Sequence, residues 1–142
     1  MGIVLDASAA LACLVDRGDA AEARLTEDVL RTVQSSDAVV PALWFSGVAN
    51  GVLAAERSGG VGRSASASFL GLVTALPIVE DRTGASAIQG TVLTLARAYE
   101  LTAYDATYLE LVLRTGRTLA TFDRQLAEAV RKAGGHVFGD AV

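Results

Sequence analysis

The chain has 142 residues, 51% of them hydrophobic and 20% charged, with two prolines. This composition excludes a disordered or low-complexity protein, and the length accommodates one domain, residues 1–142, with an ordinary core. A formal net charge of −4 excludes a nucleic-acid binder that works by blanketing phosphates, while leaving open a nucleic acid held locally by a metal and a few arginines.

Residues 2–5 are a short apolar, β-branched run that reads as a strand, and residues 7–15, apolar on all sides, suit a buried helix that breaks at 16–19. This opening lacks the basic region of a signal peptide and carries Asp6 inside its apolar run. No stretch reaches the roughly 18–20 apolar residues of a membrane span, so a soluble protein is expected. The lone cysteine, Cys13, has no internal disulfide partner and fits packing as a small hydrophobe in a reducing, cytoplasmic compartment.

Ala21, Leu25, Val29 and Val33 recur every four residues and predict an amphipathic helix over 20–34. A strand at 37–40 ends at Pro41, and Val48, Val52 and Ala55 mark a helix over 43–57 that Ser58-Gly59-Gly60 stops. Ser66, Phe69, Leu70 and Val73 place one face of a helix over 63–73, followed by a strand at 76–79. Ile88, Val92, Leu95, Ala96 and Tyr99 predict a helix over 83–100. Helices over 102–114 and 124–133 end at Gly116 and Gly134, with strands at 118–121 and 136–138. Strands alternating with helices require parallel pairing, which implies a three-layer α/β/α domain with a central parallel sheet flanked by helices.

Ligand crevices in such a sheet open at the carboxyl ends of the strands. Asp6 and Asp123 each follow a strand there, and Asp105 sits in the first turn of a helix whose start reaches the same end. Each aspartate alone reads equally as a helix cap, and capping is compatible with metal binding. Three carboxylates gathered together repel unless a cation neutralises them, and Mg²⁺ answers that need with oxygen ligands and open positions for phosphate oxygens. Other chemistries have less support. His136, the single histidine, stands in a strand-like segment without a partner motif and reads as structural. Gly59-Gly60 with Gly62 lacks the Lys-Ser/Thr of a phosphate loop, and no zinc-ligand spacing occurs. Trp44, Phe45, Tyr104 and Tyr108 read as core or dimer packing. A phosphoacceptor domain of receiver type would want a lysine at a strand end, and the only lysine is Lys132, late in the last helix.

The segments IVLDASAAL, VPALWFSGVANGVL, LTAYDATYLELVLRTGRTLATFD and RQLAEAVRKAG together resemble the PIN-domain toxins of VapC type, in order and over essentially the whole chain. The resemblance implies a Mg²⁺- or Mn²⁺-dependent endoribonuclease toxin of a type II toxin–antitoxin system, usually dimeric and neutralised by a VapB-type antitoxin. It assigns metal binding to Asp6, Asp105 and Asp123, and supporting polar roles to Ser8, Asn50 and Thr121. Arg17, Arg57, Arg82 and Arg124 are candidate phosphate contacts. Where the family's helix motif runs Trp-x-x-Glu-Val-x-Asn, this chain reads Trp44-Phe45-Ser46-Gly47-Val48-Ala49-Asn50, with Gly47 in place of the fourth acidic residue. Glycine in a helix interior costs about 1 kcal/mol relative to alanine, so helix formation does not favour it. Gly47 then serves either a close backbone approach or marks a lost glutamate that slows cleavage. The alternative function is a catalytically inactive PIN-fold protein that keeps its antitoxin and dimer surfaces. A mean hydropathy of +0.40 supports covered apolar area, with the helices between about residues 20 and 60 as the expected antitoxin groove.

Overall fold

Runs of three apolar or β-branched residues build the strands of the protein, whose computed structural model describes residues 2–141. They are β1 (Ile3–Leu5), β2 (Ala38–Val40), β3 (Ile78–Glu80) and β4 (Thr118–Ala120), paired in the order β3-β2-β1-β4 with every pairing parallel. Each parallel return needs a helical crossover. The helices are α1 (Ala7–Leu11), α2 (Ala20–Ser35), α3 (Leu43–Arg57), α4 (Arg63–Ala75), α5 (Ala85–Tyr99), α6 (Ala103–Thr115) and α7 (Arg124–Lys132). This is the expected three-layer α/β/α arrangement. The centre of the sheet is dry: Ile3, Val4 and Leu5 are almost fully buried, as are Leu119 and Ala120 beside them.

Register decides where chemistry can gather. Leu5 pairs with Ala120, and the Asp6 amide donates to the Ala120 carbonyl at 3.0 Å. Strands β1 and β4 therefore end side by side, and residues leaving them, Asp6 and Thr121, become neighbours 115 positions apart in the chain.

Local chemistry accounts for most helix ends. Asp19 caps α2 by accepting from the Ala21 and Glu22 amides, Thr102 caps α6 through the Asp105 amide, and Gly116 ends α6 in the left-handed region at φ 70°. The α2 stripe buries Thr26, Val29 and Val33 but leaves Ala21 exposed, and α4 buries Ser66 and Phe69 while Leu70 faces solvent.

Several boundaries differ from expectation. α1 stops at Leu11 rather than continuing to 15, because Cys13 and Leu14 turn back onto Ala10 and Leu11 before the Asp16–Gly18 turn, where Gly18 donates to the Asp16 carboxylate. An all-apolar segment carries no periodicity that could mark its end. β3 runs 78–80 instead of 76–79, since the Leu76 amide still closes α4 on Val73 and Pro77 has no amide to give a ladder. α5 begins at Ala85, two residues after the expected start. The segment at 136–138 makes one isolated parallel bridge, Leu119 with Val137, between Gly134 and Gly139, both at positive φ.

Gly51 and Gly47 both face α1, with different room around them. A Cβ at Gly51 would lie 2.1 Å from Leu11 Cδ1, whereas a Cβ at Gly47 would meet only the Ala7 methyl at an ordinary 3.5 Å. Arg114 ties α6 to the end of β3, donating to Glu110 at 2.8 and 3.0 Å and to Asp81 at 2.6 and 3.2 Å. Among the described residues no helix is long and apolar enough to cross a membrane.

Candidate functional site

Asp6 leaves β1 in an extended conformation and occupies the N-cap position of α1, yet its side chain makes no capping hydrogen bond. Its Oδ2 instead accepts from Ser8 Oγ at 2.6 Å and from Thr121 Oγ1 at 2.6 Å. The two hydroxyl oxygens lie 3.2 Å apart, and each also accepts a backbone amide, Phe122 to Ser8 and Asp123 to Thr121, both at 3.0 Å. This network locks the turn after β1 to the turn after β4. It holds Asp6, only 8% exposed, by one oxygen and leaves Oδ1 without a hydrogen bond among the described residues.

Asp123 starts α7 as a true cap, its Oδ1 accepting the Leu126 amide at 3.1 Å. Asp105 lies half-buried in the first turn of α6. Burial pushes its carboxyl above the ordinary 3.8, and the negative charges of Asp123 and then Asp6 push it further, against a lowering contribution from Thr102. Asp105 therefore feels the charges of two aspartates from distant parts of the chain. None of them pairs with a basic side chain among the described residues, although Arg114, Arg117 and Arg131 are all engaged by other carboxylates.

Ser8 and Thr121 thus both bond Asp6, whereas Asn50 is exposed on α3 and makes no side-chain hydrogen bond among the described residues. Gly47 is half-buried beside Ala7, the residue following Asp6, with room for a side chain. A Cβ there would make only an ordinary contact with Ala7, so close backbone approach does not require glycine at this position. Of the candidate phosphate contacts, Arg57, Arg82 and Arg124 are exposed and free of ion pairs among the described residues. Arg17 bridges Glu22 at 3.2 Å and lies over the Phe122 ring at 5.8 Å.

A groove of about 660 Å³ opens beside Asp123, between α2, α7 and the C-terminal segment, with Phe122, Arg124, Arg131 and Phe138 on its walls. Motif reading gives no sign of it, because its walls come from three separate stretches of chain. Trp44 and Tyr108 are buried, while Phe45 and Tyr104 are exposed. His136 is exposed, and its backbone carbonyl accepts the Leu119 amide.

The donor set is all oxygen and all anionic, which suits a hard divalent cation such as Mg²⁺ or Mn²⁺. Uncompensated repulsion at Asp105 and the free oxygen of Asp6 fit the same ion. Among the described residues, however, no three His, Cys, Asp or Glu side chains converge closely enough to form a ready-made ligand group. Ion binding would have to draw the carboxylates inward.

The family model described as PIN domain matches residues 3–132, nearly the whole chain. A search of curated proteins by sequence found no match. Among solved structures, that of PAE2754 from Pyrobaculum aerophilum is similar with a TM-score of 0.65 at 23% sequence identity, over 91% of this chain and 79% of that one. At that identity the likeness is one of fold.

Proposed function

The chain belongs to the PIN-domain family, whose fold generally serves metal-dependent nucleases, and we propose that it is a Mg²⁺- or Mn²⁺-dependent endoribonuclease toxin of a type II toxin–antitoxin system. Its hydrolytic centre is formed by Asp6, Asp105 and Asp123. The observation that carries this reading is the raised carboxyl of Asp105, held up by burial and by two further aspartates with no basic side chain to offset them.

Each residue has a distinct part. Ser8 and Thr121 hold one oxygen of Asp6 and so orient the other. Asp123 is held by the cap it makes, and Asp105 is the least constrained of the three. A bound divalent ion supplies charge to balance the phosphate and acidifies the attacking water. The exposed Arg57, Arg82 and Arg124 are the candidate contacts to RNA phosphates, and the overall negative charge restricts the RNA to such local contacts. Gly47 stands in for the glutamate of the family's helix motif, so the centre binds its ion weakly and cleaves slowly. The toxin acts in the cytoplasm as a homodimer, and a VapB-type antitoxin lies along α2 and α3, where Phe45 and Leu53 present exposed apolar surface.

A second reading is favoured by the same glycine and by the absence, among the described residues, of a converged ligand group: a PIN-fold protein that keeps its antitoxin and dimer surfaces but has lost cleavage. Calorimetric Mn²⁺ titration and RNA cleavage in Mn²⁺, each repeated on Asp6→Asn, separate the two. Binding and cleavage that both vanish in the variant support the nuclease, binding without cleavage supports the second reading, and no binding by the native chain refutes the metal centre.

A further inference from the structure

Tyr108 stands one turn beyond Asp105 on α6, so the two side chains share a face of that helix. It is 3% exposed. Its hydroxyl lies near the Ala7 amide, yet it makes no hydrogen bond within ordinary geometric limits. Burial of a hydroxyl without a partner is unfavourable, and a phenylalanine of the same shape would pack the core without that cost. The Ala7 amide can only donate to the phenol oxygen, so the O–H proton is left without an acceptor.

Its surroundings point to the acidic site. Asp6 and Asp105 both stand close enough for their charges to act on the phenol, and a tyrosine hydroxyl carries its proton at neutral pH. Asp6 offers an acceptor, because Ser8 and Thr121 both bond Oδ2 and leave Oδ1 free. A carboxylate oxygen has two lone pairs, so one can face a cation while the other accepts a hydrogen bond.

We propose that Tyr108 is a positioning residue of the acidic site, its phenol O–H donating to Oδ1 of Asp6 when a divalent cation is bound. The inference rests on the reading of the three aspartates as a metal centre. In that role the phenol completes what Ser8 and Thr121 begin: one oxygen of Asp6 is held by hydroxyls from α1 and from the turn after β4, the other by a hydroxyl from α6. Donors behind a ligand fix its orientation, and their loss lowers metal affinity by about 10–100-fold.

Two measurements test it. Calorimetric Mn²⁺ titration of the native protein and of Tyr108→Phe should show at least tenfold weaker binding in the variant, with an equal or higher melting temperature in chelator. The second uses the native chain alone: ¹³Cζ-tyrosine labelling gives three resonances, assigned by Tyr99→Phe and Tyr104→Phe, and the Tyr108 resonance should move when Mg²⁺ is added. Equal Mn²⁺ affinity, or a Tyr108 resonance indifferent to Mg²⁺ that the native chain binds, overturns the proposal while leaving the metal centre standing. A native chain that binds neither ion overturns both. Should Tyr108→Phe fail to fold, the resonance shift alone decides.

Discussion

Replacing Gly47 by glutamate, with Gly47→Ala as its control, separates the helix from the site. An alanine Cβ would meet Ala7 at 3.5 Å, an ordinary contact, so the control gains helix propensity without strain. That gain is about 0.5–1 kcal/mol, or a melting temperature higher by about 1–4 °C for a chain of this size. Glutamate makes a similar helical gain but adds a carboxylate beside Ala7, next to Asp6, where Asp105 already feels two negative charges. In chelator, then, Gly47→Glu should melt below Gly47→Ala. Mg²⁺ should reverse the order. A further ligand or water-orienting carboxylate is worth about tenfold or more in metal affinity, and tenfold tighter binding at saturating Mg²⁺ adds about 1.4 kcal/mol, a few degrees more. Differential scanning fluorimetry with and without Mg²⁺ reads the stability, and a fluorogenic RNA reads cleavage, expected to rise at least tenfold in the glutamate variant alone. Glutamate and alanine variants that respond identically to Mg²⁺ and cleave alike would refute the reasoning.

Asp105→Asn should stabilise the metal-free protein near neutral pH. The folded-state carboxyl lies above 3.8, so its penalty is absent below 3.8 and develops as pH rises through the raised value. Urea midpoints in chelator should therefore favour the variant at pH 7 and converge with the native chain below 3.8, and added Mn²⁺ should favour the native chain. A variant equal to or less stable than the native chain at pH 7 in chelator would count against the proximity of the three carboxylates. Arg114→Met leaves Glu110 and Asp81, with side chains 7% and 13% exposed, without their shared guanidinium. A loss of about 2–4 kcal/mol is expected in urea unfolding, partly recovered by adding Glu110→Leu. Because Arg114 holds the Asp81 carboxyl below 3.8, the stability that pairing contributes is present above 3.8 and lost as pH falls through the lowered value. The single variant should lack that acid-side loss.

The alternation of strands and helices, and hence the parallel sheet, was legible in the amino-acid order. Asp19, Thr102, Asp123 and Gly116 mark helix ends by local hydrogen bonding or left-handed backbone, which need only nearby residues. The aspartates stood out for the same reason, each at a junction that short motifs define. The end of α1 did not, since an all-apolar run has no polar face to change. Nor did strand order, on which the site depends: only the pairing of β1 with β4 brings Thr121 to Asp6, across 115 positions. The room at Gly47 was equally hidden, because Gly47 and Gly51 are glycines in one helix and only their distances to α1 side chains distinguish them. Tyr108 read as core packing, and its unspent hydroxyl shows only against the carboxylates that α6 and β1 bring beside it. Local propensity acts over a few residues and is written in the chain. Proximity between distant side chains exists only after the sheet has formed, and the burial and charge that give these aspartates their chemistry arise with it.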